Sequence, residues 1–558
     1  MNNIILMGSK KQFINKVSGS KRNMYGISFL LILISVIIGT AIISEATIAP
    51  ANYIIYKNGA TIYAQNGQTG VDDYSGTDAS TVIQSAINAL GTNGGKIFIK
   101  QGTYDFPNLS QSTNDAARSA GLLLKTGIHL IGESRNSTIL RYTGAASYYN
   151  KSVIANYHRT TSAISVQGTE TDQDISIESL TVDNAGKVMG ISAYAVNQVP
   201  GSYDPAQYYY IVKDVYFKGT GGGYFNTERI VNFSYNIKLQ DCVFGSGATG
   251  DNAIGGGGVV NYHIDNNVFL NTTSILIDAC SLIFIRNNFL QFSSLIIRGS
   301  AAAIGLLEAY NGGYGVVPWI GSTSVVVENN VFIPTAGSFA LFLSQSGVQS
   351  LDAPAVIKNN YFMRDTNDGN SSGGISVGAS ASPISPLIQV EALIEGNFFY
   401  NLRGTACIQV GRLGYIKKCY VRNNVFRDLN ATPTAVGILV DSTNQVEGIV
   451  IENNDLRGLG TSINLSAVPS DMIIKRNNGY VTENSGTATI GSSSTTIAVN
   501  HGLSYTPLIN DIHVTPTNNL GNATEFWVSN PTATQFTINI NSTPGGGKTA
   551  AFSWQIIR

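Results

Sequence analysis

The sequence predicts an all-β protein whose body is a solenoid of stacked coils. Short alternating runs rich in β-branched residues occur throughout the chain, whereas long amphipathic helical patterns are rare. A short phrase with an Asn pair after a β-branched residue recurs, as in VENNVFI at 327–333. Another alternating run follows each copy, as in SILIDA at 274–279. Together these patterns predict repeated units of two or three short strands.

The spacing of the Asn pairs supports this fold class. The first residues of the pairs lie at 266, 287, 329, 359, 423 and 453, and the phrases of degenerate copies begin at 212, 239, 394 and 474. The step from 287 to 329 is twice the step from 266 to 287, which predicts a hidden copy near 306–310. The units are too short for crossover helices, so we expect equivalent strands of successive coils to pair in long parallel sheets.

The Asn pairs themselves are predicted to be architectural. A coil must turn sharply between two strands, and Asn tolerates the left-handed backbone conformation better than any residue except Gly. Stacked Asn amides also hydrogen-bond to one another along parallel stacks. We expect the aromatic residue that follows each pair to point inward and stack on its neighbours.

Composition excludes some classes of protein. The chain has 558 residues, of which 12% are charged, with a net charge of −1. It therefore lacks the basic field expected of a nucleic-acid partner. The four cysteines have no metal-ligand spacing, and alternation places Cys407 outward but Cys419 inward. We expect free, small buried thiols rather than a disulfide.

The N-terminus predicts a membrane anchor. Residues 1–45 combine a basic tail with an uncharged run at 24–43, which is long enough to cross a bilayer of roughly 30 Å. The basic flank predicts that everything after Ser44 lies outside the cell. Small residues at 44–51 also suit a cleaved signal peptide, which would give a secreted protein. An exterior location fits the glycosylation sequons, which begin at Asn108, Asn136, Asn150, Asn232, Asn271, Asn370, Asn430, Asn464, Asn522 and Asn541.

Residues 46–120 are predicted to form the first coils and their cap. Thr77-Asp78 can cap a helix whose apolar face has Val82, Ile83, Ala86, Ile87 and Leu90. Gly94-Gly95 ends this helix, and KIFIK and GTY begin the coils. This stretch, 58–104, resembles the first segment of pectate-lyase-like, right-handed parallel β-helix proteins, and with the Asn-pair coils the resemblance covers roughly 58–480. It implies a right-handed parallel β-helix over 121–482.

The C-terminal part, 483–558, lacks the Asn-pair unit. Its short, turn-separated strands predict an antiparallel β-sandwich. Trp527, Trp554 and Tyr505 are expected in its core. The segment resembles the small sandwiches that end many tail-fibre and surface proteins, including H-type lectins. That resemblance implies glycan binding or trimerisation, and a plain cap on the solenoid is the alternative.

The sequence contains no complete catalytic signature of the β-helix family. GDNAIGGGG at 250–258 is similar to a polygalacturonase Asp pair, but Asn252 replaces the second Asp beside Asp251, and His263 lacks its usual Gly. A lyase of this family would combine Ca²⁺-binding carboxylates with an Arg or Lys base. No metal is assigned on the residues themselves.

Alignment of SILIDA with SLIIRG places Asp278 and Arg298 at equivalent positions of adjacent coils. Glu308 and Tyr310 follow in the next irregular coil. We expect Asp278, Arg298 and Glu308 to act on a glycan or hold it, with Asp251 and His263 as the alternative pair. Tyr310 and an outward row with Ser376, Gln409 and Asn464 would bind sugar. The simpler alternative for Asp278 and Arg298 is a surface ion pair.

Two classes of function follow. One is an anchored surface protein, adhesin- or spike-like, that binds polysaccharide and assembles as a homo-oligomer, a trimer through the β-helix or the sandwich. The other is a polysaccharide lyase or glycoside hydrolase. The low charge and the Ser, Thr, Asn and Gly residues on outward positions favour the first.

The anchor gives a first testable prediction. The full chain should fractionate with membranes, and external protease should reach every site after Ser44, because the basic flank stays inside. Sequencing the mature N-terminus checks the alternative, since a soluble form that begins near Pro50 would show a cleaved signal.

Overall fold

The computed structural model describes most of the compact unit Ala51–Arg558. The described residues are 51–109, 111–112, 119–145, 151–156, 172–193, 210–219, 223–227, 234–245, 253–256, 259–271, 274–278, 280–291, 294–300, 323–334, 337–346, 355–364, 372–378, 390–411, 416–429, 432–441, 446–466 and 471–557. The expected membrane segment at 24–43 lies outside them. No helix within these ranges is long and apolar enough to span a bilayer.

Three long sheets form the body of the described protein, and each coil contributes strands to sheets A, B and C in turn. Sheet A contains Tyr53–Asn58, Thr61–Asn66, Asp72–Gly76, Gly95–Ile99, Ile128–Gly132, Ile175–Glu178, Tyr210–Lys213, Ser234–Gln240, Val259–Asp265, Ser281–Arg286, Thr323–Glu328, Ala355–Lys358, Val390–Glu395, Ile416–Arg422, Ile449–Glu452 and Ile473–Lys475. Sheet B contains Gly102–Phe106, Thr138–Tyr142, Thr181–Asp183, Tyr216–Lys218, Val243–Phe244, Val268–Leu270, Phe289–Gln291, Val331–Ile333, Tyr361–Met363, Phe398–Tyr400 and Val425–Arg427. Sheet C contains Gln111–Ser112, Ser119–Leu124, Ser152–Asn156, Met189–Ser192, Phe225–Thr227, Ile254–Gly256, Ser274–Asp278, Ser294–Ser300, Phe339–Ser346, Gly373–Val377, Ile408–Val410, Val436–Val440 and Thr461–Leu465.

Pairing between successive coils is parallel, which confirms the predicted β-helix. Glu328 pairs with Lys358 in sheet A, Phe332 with Phe362 in sheet B, and Ile375 with Ile408 in sheet C. The prediction of a hidden copy near 306–310 is wrong. Arg286 pairs directly with Glu328, so no further coil separates their two strands, and residues 306–310 lie outside the described ranges.

The two members of each Asn pair have different roles at the corner between sheets A and B. The first member takes the left-handed conformation, with φ between 55° and 58° at Asn266, Asn287, Asn329, Asn359, Asn423 and Asn453. Gly396 and Arg476 take this position in the degenerate copies. The second member is buried. We call these second members the asparagine column: Asn267, Asn288, Asn330, Asn360, Asn397, Asn424, Asn454 and Asn477.

Each amide of the asparagine column before Asn477 bonds to the next coil and to the previous one. The backbone N–H of Asn330 and its Nδ2 both donate to Oδ1 of Asn360, each at 2.9 Å. Nδ2 of Asn330 also donates to the carbonyl of Ile285 at 2.9 Å. The same three bonds recur at Asn288, Asn360, Asn397, Asn424 and Asn454. A buried polar column is therefore satisfied over many coils.

The residue two positions beyond the asparagine column points inward and packs on its equivalents. Rings of Phe217, Phe244 and Phe269 stack, as do those of Phe332, Phe362, Phe399 and Phe426, with centroids 4.4–5.0 Å apart. All of these side chains are fully buried. The expected inward aromatic stack is confirmed, with Leu290 filling the position between the two groups.

Helix α1 (Ala79–Ala89) covers the N-terminal end of the coils. The side chain of Asp78 accepts from the backbone N–H of Ser80 and caps the helix, and Val82, Ile83, Ala86 and Ile87 are buried. Gln84 bonds to both the N–H and the carbonyl of Leu123 in the first long strand of sheet C. A short 3₁₀ helix, Gly91–Asn93, follows. The predicted cap is therefore present, and it protects the raw edge of the solenoid.

The C-terminal strands are antiparallel and have their own core. One sheet joins Asn484–Ile490, Ala550–Ile556 and Ile512–Pro516, and the other joins Thr496–Asn500, Gln535–Ile540 and Phe526–Ser529. A 3₁₀ helix, Ile509–Asp511, precedes one strand. Trp554 is buried in the core, as expected. The expectation for Trp527 is wrong: its side chain is 48% exposed, because its strand turns neighbouring Val528 inward instead.

All four cysteines are buried thiols outside any disulfide. The prediction that Cys407 points outward is wrong, because this residue precedes the strand Ile408–Val410 and packs beneath the turn, 3% exposed. Burial raises the pKa of the Cys242 and Cys419 thiols to about 12 and that of Cys407 further. These three thiols are therefore protonated at neutral pH in the folded protein, which makes them poor nucleophiles.

The asparagine column predicts unequal effects within one pair. Replacing Asn360 by Leu should destabilise the protein by at least about 3 kcal/mol, because several buried groups lose partners. Replacing Asn359 by Val should cost about 1–2 kcal/mol, since only the left-handed conformation is penalised. Denaturant unfolding midpoints check the order.

Asn359→Gly is the matched control and should change little, because Gly396 already occupies this position one coil later. Equal losses from Asn359→Val and Asn360→Leu would contradict the division of roles.

Candidate functional site

The structure pairs the two principal sequence candidates but describes only their backbone. Asp278 and Arg298 are register partners in adjacent strands of sheet C, as the alignment predicted. Their side chains lie outside the described set, as do Glu308, Tyr310 and Asp251 entirely. The catalytic or glycan role of this strip stays a prediction.

His263 lies on sheet A, not on sheet C with Asp278. Its Nε2 is 2.8 Å from Oδ1 of Asn261, its Nδ1 is 3.6 Å from Oδ2 of Asp265, and its ring stacks on Phe284 at 4.8 Å. The structure therefore separates His263 from the Asp278 strip by a corner of the solenoid.

The expectation that Ser376 and Gln409 form an exposed sugar-binding row is wrong. They are register partners in sheet C, but Ser376 is 0% exposed and Gln409 is 3% exposed. Ser376 is a short side chain between Phe342 and Gln409, its neighbours in the adjacent coils about 4.8 Å away. Nε2 of Gln409 donates to Oδ2 of Asp441 at 3.2 Å. Neither side chain is available to a ligand.

A different surface gathers ligand-binding chemistry on the outer face of sheet B. Tyr361 and Met363 point outward from one strand, and Phe398 and Tyr400 occupy the paired positions of the next strand. We call these four residues the aromatic surface. Tyr361 is 41% exposed. Ring centroids of Tyr361 and Phe398 are 5.7 Å apart, and those of Phe398 and Tyr400 are 6.1 Å apart.

The asparagine column is what turns these side chains outward. Tyr361 follows Asn360 directly, so alternation sends Tyr361 out, Phe362 into the core and Met363 out. The strand after Asn397 repeats this order with Phe398, Phe399 and Tyr400. The repeat pattern predicted one inward aromatic residue in each coil but not the outward ones. Adjacent aromatics in NNYFM and GNFFY were the signal that could have found them.

A charged cluster continues the aromatic surface toward the C-terminal coils. Arg427 is the register partner of Tyr400. Its Nη2 donates to Oδ2 of Asp455 at 2.6 Å, and Nε and Nη2 of Arg457 donate to the same carboxylate at 2.8 Å each. Bonds from Arg457 and then Arg427, against the effect of burial, hold the pKa of the Asp455 carboxyl well below its ordinary value. The cluster therefore carries one net positive charge at neutral pH.

This arrangement offers two kinds of contact along one line. Aromatic faces carry a partial negative charge and attract polarised C–H groups laid flat against them. A guanidinium beyond the rings can bind a carboxylate or sulfate with paired hydrogen bonds, and the Arg457 side chain is 67% exposed. Among the described residues, no group of three or more His, Cys, Asp or Glu is arranged to hold a metal ion, so no step is assigned to Ca²⁺.

Comparisons with known proteins yield structural likenesses only. No family model matches the chain, and no curated protein matches it. The A-module of the mannuronan C-5 epimerase AlgE6 from Azotobacter vinelandii is similar, with 12% identity and a TM-score of 0.46 over 72% of this chain and 94% of that one. The tailspike protein of E. coli bacteriophage HK620, in complex with a pentasaccharide, has 14% identity and a TM-score of 0.42 over 86% of this chain and 90% of its own. These scores are too low to argue from, so the β-helix assignment rests on the parallel sheets themselves.

Proposed function

We propose that the protein binds an extended polysaccharide along the outer face of sheet B. The observation that carries the proposal is the aromatic surface, which places three rings and a thioether on two adjacent coils and faces them outward. Sugar rings present flat, weakly polarised C–H faces. These faces pack more favourably against partly exposed aromatic side chains than against aliphatic side chains.

The charged cluster supports the proposal that the polysaccharide is acidic. Tyr400 is the register partner of Arg427 in the next coil, and the exposed side chain of Arg457 lies one coil further. A chain of sugar rings that stacks on the aromatic surface would bring a uronate carboxylate or a sulfate to Arg457. Asp455 stays ionised between the two guanidinium groups and fixes their direction.

The proposal retains the surface location expected from residues 24–43. An anchored β-helix that holds a polysaccharide would act as an adhesin- or spike-like protein outside the cell. The polysaccharide-degrading alternative shares this substrate class, and new reducing ends or absorbance at 235 nm after incubation with the polymer would reveal it.

Binding to a panel of neutral and uronate polysaccharides tests the proposal. Tyr361→Ala and Tyr400→Ala should each weaken binding at least tenfold, because each removes a stacking ring, with the melting temperature unchanged. Arg457→Ala should weaken the binding of uronate polymers only, and the loss should shrink at high salt. Affinity is measured calorimetrically with the full chain.

Tyr216→Ala is the matched control, since Tyr216 is an outward aromatic of the same sheet several coils away. Unchanged affinity of the Tyr361 and Tyr400 variants would refute the aromatic surface as the site. In that case, a loss in Asp278→Ala or Arg298→Ala would place the site on sheet C, and a loss in Trp527→Ala would place it on the sandwich.

A further inference from the structure

The outer face of sheet A carries a second surface, independent of the proposed glycan site. Each of eight successive strands there places one charged side chain immediately before the corner with sheet B. We call these eight residues the charge row: Asp265, Arg286, Glu328, Lys358, Glu395, Arg422, Glu452 and Lys475. Their signs alternate from coil to coil without a break.

The alternation of charge along the charge row stabilises the pairing of coils within one chain. Arg286 and Lys358 both pair with Glu328, at 3.4 Å and 2.8 Å, and Arg422 pairs with Glu395 at 3.1 Å. Lys475 pairs with Glu452 at 3.4 Å. These half-exposed pairs favour the observed register and add modest stability. They do not explain why an apolar row runs beside them.

The apolar row lies two residues before the charge row on the same face. It consists of Phe284, Val326, Val356, Leu393, Tyr420, Val450 and Ile473. Tyr420 is 37% exposed and Ile473 is 45% exposed. In earlier coils the same position holds Lys238 and His263, so the apolar row begins one coil after the charge row, which starts at Asp265. The two rows therefore run side by side over seven coils.

The charge row is complementary to the charge row of a second copy only when the second solenoid runs in the opposite direction. Eight alternating charges, read from the other end, give the opposite sign at every position. An antiparallel copy would set Glu328 against Arg422 and Lys358 against Glu395, and six of the seven residues of the apolar row would face one another. A parallel copy in register would oppose like charges at all eight coils, which disfavours it.

We propose that this face of sheet A binds a second copy of the chain, antiparallel, about a two-fold axis that runs along the strands between the coils of Lys358 and Glu395. Eight coils span about 38 Å and a six-residue strand about 20 Å. That footprint approaches the roughly 800 Å² per partner of a specific interface. The contact is isologous, so each complementary pair occurs twice.

Charge exchange tests the antiparallel pairing. Glu328→Arg and Arg422→Glu should each weaken dimerisation at least tenfold, because each opposes like charges at two symmetric places. The double variant should recover dimerisation, since positions 328 and 422 face each other with their signs exchanged. Sedimentation of the full chain in mild detergent measures the dissociation constants.

The double variant keeps the unfavourable neighbours of both single variants within each chain, so its recovery reports on the interface and not on folding. A parent chain that stays monomeric, or a double variant as weak as the single ones, would overturn the proposal. Tyr361→Ala should dimerise like the parent, which separates this test from that of the glycan site.

Cross-linking provides a measurement that leaves the charges intact. With a short bis-maleimide, Val326→Cys/Tyr420→Cys should yield covalent dimers, because positions 326 and 420 face each other. Val326→Cys alone should yield none, whereas a parallel pairing would cross-link it efficiently and overturn the proposal. The native thiols are buried and should give no background.

Discussion

The asparagine column is the interaction on which the rest of this structure depends. Each of its central members is buried and receives or donates bonds in both directions along the solenoid, so one coil cannot shift without breaking bonds in two others. A buried amide left without partners costs far more than a made bond contributes. The column therefore fixes the register at the corner between sheets A and B.

Fixing that corner also fixes which side chains face the solvent. Because side chains alternate in a strand, a slip of one residue would send every outward group inward. The residue before each pair is held outward on sheet A, as at Glu328, and the residue after it is held outward on sheet B, as at Tyr361. The same structural device thus positions both the face proposed for an identical chain and the face proposed for a polysaccharide.

Local patterns in the sequence were enough for the β-helix, because the repeat encodes both the turn and the core. Asn359 takes a left-handed conformation and Phe362 is buried in the core, and the residue types in NNYFM predict both features. Solvent exposure could not be predicted in the same way. Ser376 alternates outward yet is fully buried, and its neighbours Phe342 and Gln409 are set by the register of residues more than 30 positions away. Tyr361 and Phe398 meet only because their coils stack.

Hydrogen exchange resolved to single residues tests the central role of the column most directly. The backbone N–H groups of Asn288, Asn330, Asn360, Asn397, Asn424 and Asn454 lie in turns, where amides ordinarily exchange fast. Because each donates to a buried amide oxygen of the next coil, they should exchange as slowly as amides in the centre of sheet B. Exchange at the rate of the exposed turns of the sandwich would contradict the account.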